Sequence, residues 1–99
     1  MNRRPLTIAG AWMAAGMRAR QLIGGAGFPP DAVKVIGDAF EDAWAGLALD
    51  VSGDATVVDA ARWSLAEIVL GIARAGPIEY NRIKTAAVYA FRTVHRIGQ

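Results

Sequence analysis

The sequence contains no cysteine and only one histidine, His95, among its 99 residues. The absence of cysteine excludes a disulfide scaffold, a thiol nucleophile and a cysteine-ligated metal site. A lone histidine has no second imidazole with which to share a metal ion. Its position in the last turn of a predicted helix favours a structural role, because a cation is stabilised there by the helix dipole.

A long hydrophobic run is also missing. The uncharged stretch near the N-terminus, Pro5 to Met17, has 13 residues, whereas a membrane-spanning helix needs roughly 20. This stretch is only weakly apolar, and it has no clear signal-peptide cleavage site before Arg18. We therefore expect a cytoplasmic protein. A membrane partner is the least favoured alternative, in which the first helix lies on a membrane surface through Arg3, Arg4, Arg18 and Trp12.

Alanine, by contrast, is abundant. Hydrophobic residues make up 54% of the chain, and 20 of the 99 residues are alanine. Alanine is the best helix former, and its small side chain lets helices approach closely. With a net charge of only +2, this composition excludes disorder and favours one domain with a modest core.

Four segments carry apolar residues at alternating steps of three and four, the spacing that keeps side chains on one face of a helix. No segment alternates with period two over a useful length, so we expect an all-α fold. The four stripes are Ile8, Trp12, Ala15, Ala19 and Leu22; Val33, Ile36, Phe40, Ala43 and Leu47; Val58, Ala61, Leu65, Ile68 and Ile72; and Tyr80, Ile83, Ala87, Ala90, Val94 and Ile97.

Glycine, proline and aspartate mark the breaks between these segments. Pro30 suits the first turn of a helix, Asp54 is a predicted N-cap, and Gly76-Pro77 is typical of one helix ending and the next beginning. The prediction is a single four-helix, bundle-like domain over residues 1–99. Its helices are expected at about 7–23, 30–48, 54–74 and 77–97.

Short links predict an up-down arrangement of the last three helices. The first helix is less constrained, because the glycine-rich stretch at 24–27 allows it to take different positions relative to the other helices. It is expected to be more loosely attached, and to pack either on its own chain or, exchanged, on a second copy.

Charge is distributed in three blocks. Residues 1–30 carry a net +4, residues 31–67 a net −6 and residues 68–99 a net +4. The favoured interpretation is ordinary solvated helix faces, and the second is pairing between the acidic face of one chain and the basic face of another. A third is nucleic-acid binding by the fourth helix, whose arginine and lysine side chains suit phosphate contacts; these are Arg82, Lys84, Arg92 and Arg96.

Apolar residues off the main stripes point to a further contact. Trp63 and Leu70 belong to a second seam on the third helix, and Met13 and Met17 lie away from the stripe of the first. The seam either packs inside the domain or forms a homodimer interface, for which tryptophan and methionine are favoured residue types. We expect the homodimer.

Three segments carry a resemblance to known proteins: Ala39–Trp44, Ala61–Leu70 and Arg82–Ala87. Across residues 31–95 the chain resembles certain small uncharacterised bacterial helical proteins. The resemblance implies a bacterial helical module and brings no activity with it.

Candidate catalytic residues are lacking. Ser52 and Ser64 have no glycine-flanked elbow, and the adjacent Glu41 and Asp42 point in different directions. We expect no enzyme activity, no metal and no cofactor. The sequence favours a homodimeric protein-interaction or regulatory module, with a protein as the possible further partner and nucleic acid as the alternative.

Overall fold

Helices account for nearly all of the described structure, which covers residues 18–51 and 53–95 of a computed structural model. Residues 18–24 form α1, followed by α2 (Pro30–Leu47), a 3-10 turn η1 (Ala48–Asp50), α3 (Ala55–Arg74) and α4 (Tyr80–His95). Within these residues there is no strand. The predicted all-α, bundle-like fold is confirmed.

The starts of α2 and α3 follow from local chemistry. Pro30 is the first residue of α2, where a missing amide donor costs nothing. Asp54 is the N-cap of α3, and its carboxylate accepts a hydrogen bond from the Val57 amide at 3.1 Å. Just before it, Gly53 has φ +134°, and a Cβ there would lie 2.9 Å from the Val57 side chain. Glycine is therefore required at this turn.

α4 begins at Tyr80, three residues later than the sequence predicted from Pro77. The reason is Glu79, whose carboxylate accepts hydrogen bonds from the amides of Asn81 and Arg82, at 3.3 and 2.8 Å. These bonds satisfy amides that have no partner inside the helix. The expected end of this helix at residue 97 lies outside the described residues.

Arg82 closes the link between α3 and α4. Its guanidinium donates to the Ile72 carbonyl at 2.7 Å and to the Pro77 carbonyl at 3.0 Å. The first bond satisfies an acceptor in the last turn of α3. A Cβ on Gly76 would lie 3.1 Å from the guanidinium carbon, so glycine leaves room for this contact.

α2, α3 and α4 each pack against the other two. Arg74, at the end of α3, lies over the ring of Phe28 just ahead of α2, and Arg62 contacts Glu41 further along. These two contacts make α2 and α3 antiparallel. Arg92 bonds Asp50 at 3.3 Å, which brings the end of α4 to the end of α2. The three helices are therefore arranged up, down and up.

α1 packs on its own chain. Ala19 and Ile23 are buried in the core. Arg18 pairs with Asp59 of α3 at 2.8 Å, and Arg20 pairs with Glu41 of α2 at 3.1 Å. The described part of α1 is thus held by both neighbouring helices.

The core combines a few large side chains with many alanines. Its largest fully buried members are Phe40, Phe91, Ile23, Ile36, Leu47, Leu65, Ile83 and Val69. Between them lie the buried alanines at positions 19, 32, 39, 43, 61, 66, 73 and 87. Alanine here allows the close helix packing that the composition predicts.

α3 buries a face that lies between its two predicted stripes. Leu65 of the first stripe and Leu70 of the second are both buried, and Val69 between them is fully buried. The outer members of the two stripes are only half-buried: Val58, Trp63, Ile68 and Ile72. The centre of the inward face therefore runs between the stripes.

The inward face of α4 also departs from the predicted stripe. Ile83 and Ala87 are buried as expected, but the next buried residue is Phe91 rather than Ala90, and Val94 is 66% exposed. Steps of four carry the buried face toward Phe91, whose ring fills the core. Val94 lies past the Arg92–Asp50 contact, where the described helices end.

This difference predicts unequal effects of truncation at two apolar positions of α4. Phe91→Ala should lower the free energy of unfolding by about 3–5 kcal/mol, because it leaves a cavity in the core. Val94→Ala should change it by less than about 0.5 kcal/mol, as is usual for surface positions. Urea unfolding monitored by circular dichroism measures both. A large loss for Val94→Ala would instead support the predicted stripe.

Candidate interaction surfaces

The three charge blocks of the sequence meet inside the folded chain. Arg18 and Arg20 from the first block pair with Asp59 and Glu41, and Arg92 from the last block pairs with Asp50. Within the middle block, Lys34 pairs with Asp38 at 3.1 Å. The alternation of sign thus places opposite charges on neighbouring helices. Because these acids have partners in their own chain, they offer less to a basic face of another chain.

Arg62 is the most enclosed of these cations. Its side chain is only 20% exposed, and its Nη2 contacts both carboxylate oxygens of Glu41, at 3.4 and 3.5 Å. The guanidinium carbon lies 5.3 Å from the ring centroid of Phe40 and 5.6 Å from that of Trp44. Cation–π attraction of this kind strengthens as water is excluded. Among the described residues, the buried Nε of Arg62 has no hydrogen-bond partner.

Arg62 is not among the site residues predicted from the sequence. A signal for it exists: Arg62 lies three and four residues before the buried Leu65 and Ala66, which places it on the inward face of α3. Its partner Glu41 was expected on a solvated face of α2, yet it is bonded to both Arg20 and Arg62. The signal has two parts: an arginine on the apolar face of one helix, and a glutamate close to two aromatic residues on the neighbouring helix.

The predicted dimer residues are not brought together as an exposed seam. Leu70 is 3% exposed and belongs to the core of its own chain. Trp63 is half-buried. Asp59, one turn before Trp63 on the same side of α3, is bonded to Arg18, so α1 lies along the start of this seam. Met13 and Met17 lie outside the described residues.

The predicted basic face of α4 is also divided. Arg82 and Lys84 are two positions apart and point to opposite flanks of the helix, and both are half-buried. Arg82 bonds backbone carbonyls, Lys84 lies 5.9 Å from the ring centroid of Tyr80, and Arg92 pairs with Asp50. Arg96 lies outside the described residues. The three described side chains do not form one phosphate-binding face.

Among the described residues, three of the four exposed large apolar side chains lie near one end of the bundle; the fourth, Tyr89, is 74% exposed on α4. Leu49 is 89% exposed, Val94 66% and Val57 47%. The Asp50–Arg92 bond brings η1 and the end of α4 together, while Val94, two positions after Arg92, points to the opposite flank of α4. Val57 lies in the first turn of α3, against Gly53. We call Leu49, Val57 and Val94 the apolar end.

Tyr80 connects α4 to α2 through its phenol. The hydroxyl donates a hydrogen bond to the Asp42 carboxylate. This bond is the largest cause of a pKa of Tyr80 above its ordinary value of 10.0; desolvation and the negative charges of Asp42 and Asp38 raise the pKa further. The neutral phenol is the form that the fold holds.

In residues 18–51 and 53–95, no three histidine, aspartate or glutamate side chains are grouped as a metal site would need. Of the helices described, none combines the length and the apolar character that crossing a membrane requires.

Comparison of the chain with models of protein families, with curated proteins and with solved structures gives no match to any of them.

The Tyr80–Asp42 bond predicts a measurable titration. Tyr89→Phe removes the other of the two tyrosines in the chain, so that Tyr80 carries the one remaining phenol. In this background the phenol should ionise above pH 10. Asp42→Asn should lower this pKa, because it removes a negative charge beside the phenol. Ultraviolet absorbance against pH measures the ionisation, with Asp50→Asn as the control that leaves the pKa of Tyr80 unchanged.

The sign of the linked stability change follows from the raised pKa. The contribution of this bond to folding is fully present below pH 10, the pKa of an unfolded tyrosine, and is lost as the pH rises through the higher pKa of the folded state. An Asp42→Asn protein whose phenol titrates like that of its parent would contradict the assignment.

Proposed function

We propose that the protein is a small non-enzymatic interaction module whose partner is a second copy of the same chain, bound through the apolar end. The observation that carries the proposal is the exposure of Leu49, which has 89% of its surface in water. Full burial of a leucine or valine side chain contributes about 1.5–3 kcal/mol. Clustered exposed apolar side chains are a common mark of interaction sites.

The charges at this end support a self-association. Asp50 and Arg92 pair with each other there, so the two charges are balanced within each copy. A two-fold axis sets the same patch of each subunit against itself. It can therefore place opposite charges face to face around an apolar centre, without bringing like charges together.

The size of the patch indicates which other residues take part. A standard interface buries about 800 Å² per partner, and three side chains provide only part of that area. Arg18 of α1 lies near this end, because it is bonded to Asp59 in the second turn of α3. Met17 directly precedes Arg18, so Met13 and Met17 remain proposed contacts. Leu70 leaves the proposed interface because its own chain buries it.

The cellular location and the source of the protein are part of the same proposal. A cytoplasmic location rests on the sequence, whose uncharged stretch Pro5 to Met17 is weakly apolar and has no clear signal-peptide cleavage site, and a bacterial source rests on the resemblance alone. Nucleic-acid binding by α4 has less support, because Arg82 and Lys84 point to opposite flanks and Arg92 is paired with Asp50. Catalysis has no arrangement of side chains in its favour among the described residues.

Light scattering at low and high salt tests the proposed homodimer. The wild-type chain should have about twice the mass of 10.5 kDa, and this mass should persist at high salt because apolar contacts are not screened. Leu49→Glu should give a monomer at concentrations where the wild type is a dimer, since the interface would bury an unpaired charge.

Ala75→Glu is the matched control. It adds the same charge at an exposed position at the other end of α3, and it should leave the dimer intact. Circular dichroism should show the same helical content in all three proteins. A monomeric wild type, or a Leu49→Glu protein that remains dimeric, would refute the proposal.

A further inference from the structure

A groove with a volume of about 500 Å³ opens between the end of α1 and the first turns of α2. Its size falls within the range of about 300–1,000 Å³ that is usual for small-molecule sites. Arg20 and Gly24 line it from α1, Phe28 from the loop, and Val33, Lys34 and Gly37 from α2. It lies at the opposite end of α2 from the apolar end, so it is a separate surface.

Cations with uncommitted donors line the groove. Arg20 has five N–H donors, and its one hydrogen bond to a described residue joins Nη1 to Glu41 at 3.1 Å. Lys34 has three donors and uses one of them on Asp38, at 3.1 Å. Asp38 is the one acid that lines the groove. Glu41, the partner of Arg20, is a second acid beside the lining, so the positive balance comes from Arg20 and Lys34 together with Arg74 at the Phe28 ring.

The apolar wall consists of Phe28 and Val33, both half-buried and packed against the core. The guanidinium carbon of Arg74 lies 5.9 Å from the ring centroid of Phe28, and it adds a third positive charge near this wall. The groove therefore combines an apolar surface with a cationic rim.

The floor of the groove contains glycines that the fold itself does not need. Gly37 lies in the interior of α2, where glycine is about 1 kcal/mol less favourable than alanine. A Cβ built at Gly37 or at Gly24 meets no heavy atom of the described chain within 4 Å. Neither helix packing nor a positive φ explains glycine at these positions. Both line the groove, and any larger side chain would project into it.

We propose that this groove binds a small monocarboxylate with an apolar body, such as a medium-chain fatty acid. The carboxylate is held between Arg20 and Lys34 by charge-assisted hydrogen bonds. The apolar body lies against Phe28 and Val33, over the floor formed by Gly24 and Gly37. The positive balance selects the anion, and the open floor admits the chain.

Octanoate is the probe that tests the proposal, with binding followed by the amide resonances of the protein in two-dimensional NMR. Octanoate should shift the resonances of residues around the groove in a saturable manner. Octan-1-ol, which has the same apolar body without the charge, should bind at least about 10-fold more weakly, because it lacks the charge-assisted bonds. Lys34→Gln should weaken octanoate and leave octan-1-ol unchanged.

The chain offers a closely matched pair of variants for the floor. Gly37→Leu fills the groove, while Gly46→Leu makes the same change elsewhere in α2, where a Cβ also meets no described atom within 4 Å. Both should be at least as stable as the wild type in thermal unfolding, since leucine is the better helix former. Only Gly37→Leu should lose octanoate, by at least about 10-fold, because overfilling a site excludes its ligand.

Three results would overturn the proposal: no saturable shifts around the groove, equal affinity for octanoate and octan-1-ol, or equal losses in the two leucine variants. None of them bears on the homodimer, which uses the other end of the molecule.

Discussion

The contact of Arg62 with α2 is the interaction on which the arrangement of the helices depends. A guanidinium on the inward face of α3 lies against Phe40 and Trp44 and contacts Glu41. Glu41 in turn pairs with Arg20 of α1, so three charged side chains join three helices. Charge is costly to enclose, and Arg62 remains 20% exposed. The aromatic rings and the carboxylate offset that cost when α3 packs against α2 in the observed position.

The pairing of opposite charges also explains how the alternating charge blocks affect the packing of the helices. Each basic block supplies arginines that reach an acid of the middle block: Arg18 and Arg20 from one side, and Arg92 from the other. The pairs are largely exposed, so each contributes little to stability. Their effect is to favour this packing of helices over others, because another packing would leave charges unpaired.

The sequence predicted the parts of the fold that local chemistry controls. Pro30 and Asp54 start α2 and α3 where expected, since both act through their own backbone. The position of Phe91 in the core and of Val94 in solvent could not be predicted, because a helical repeat does not show where the neighbouring helices end. The groove could not be predicted from the sequence either. Gly37 does not interrupt the apolar stripe of α2, and its place in the groove depends on how α1 packs against α2.

A double-mutant cycle between Glu41 and Arg62 tests the central claim most directly. Urea unfolding would be measured for the wild type, Glu41→Gln, Arg62→Met and the double variant; methionine retains much of the apolar stem of Arg62. The account predicts a coupling free energy of about 1–2 kcal/mol, because Glu41→Gln leaves the partly enclosed charge of Arg62 without its carboxylate, while Arg62→Met leaves Glu41 with Arg20 alone. Losses that add with no coupling would contradict it, and would show that Arg62 stabilises the bundle through its apolar stem alone.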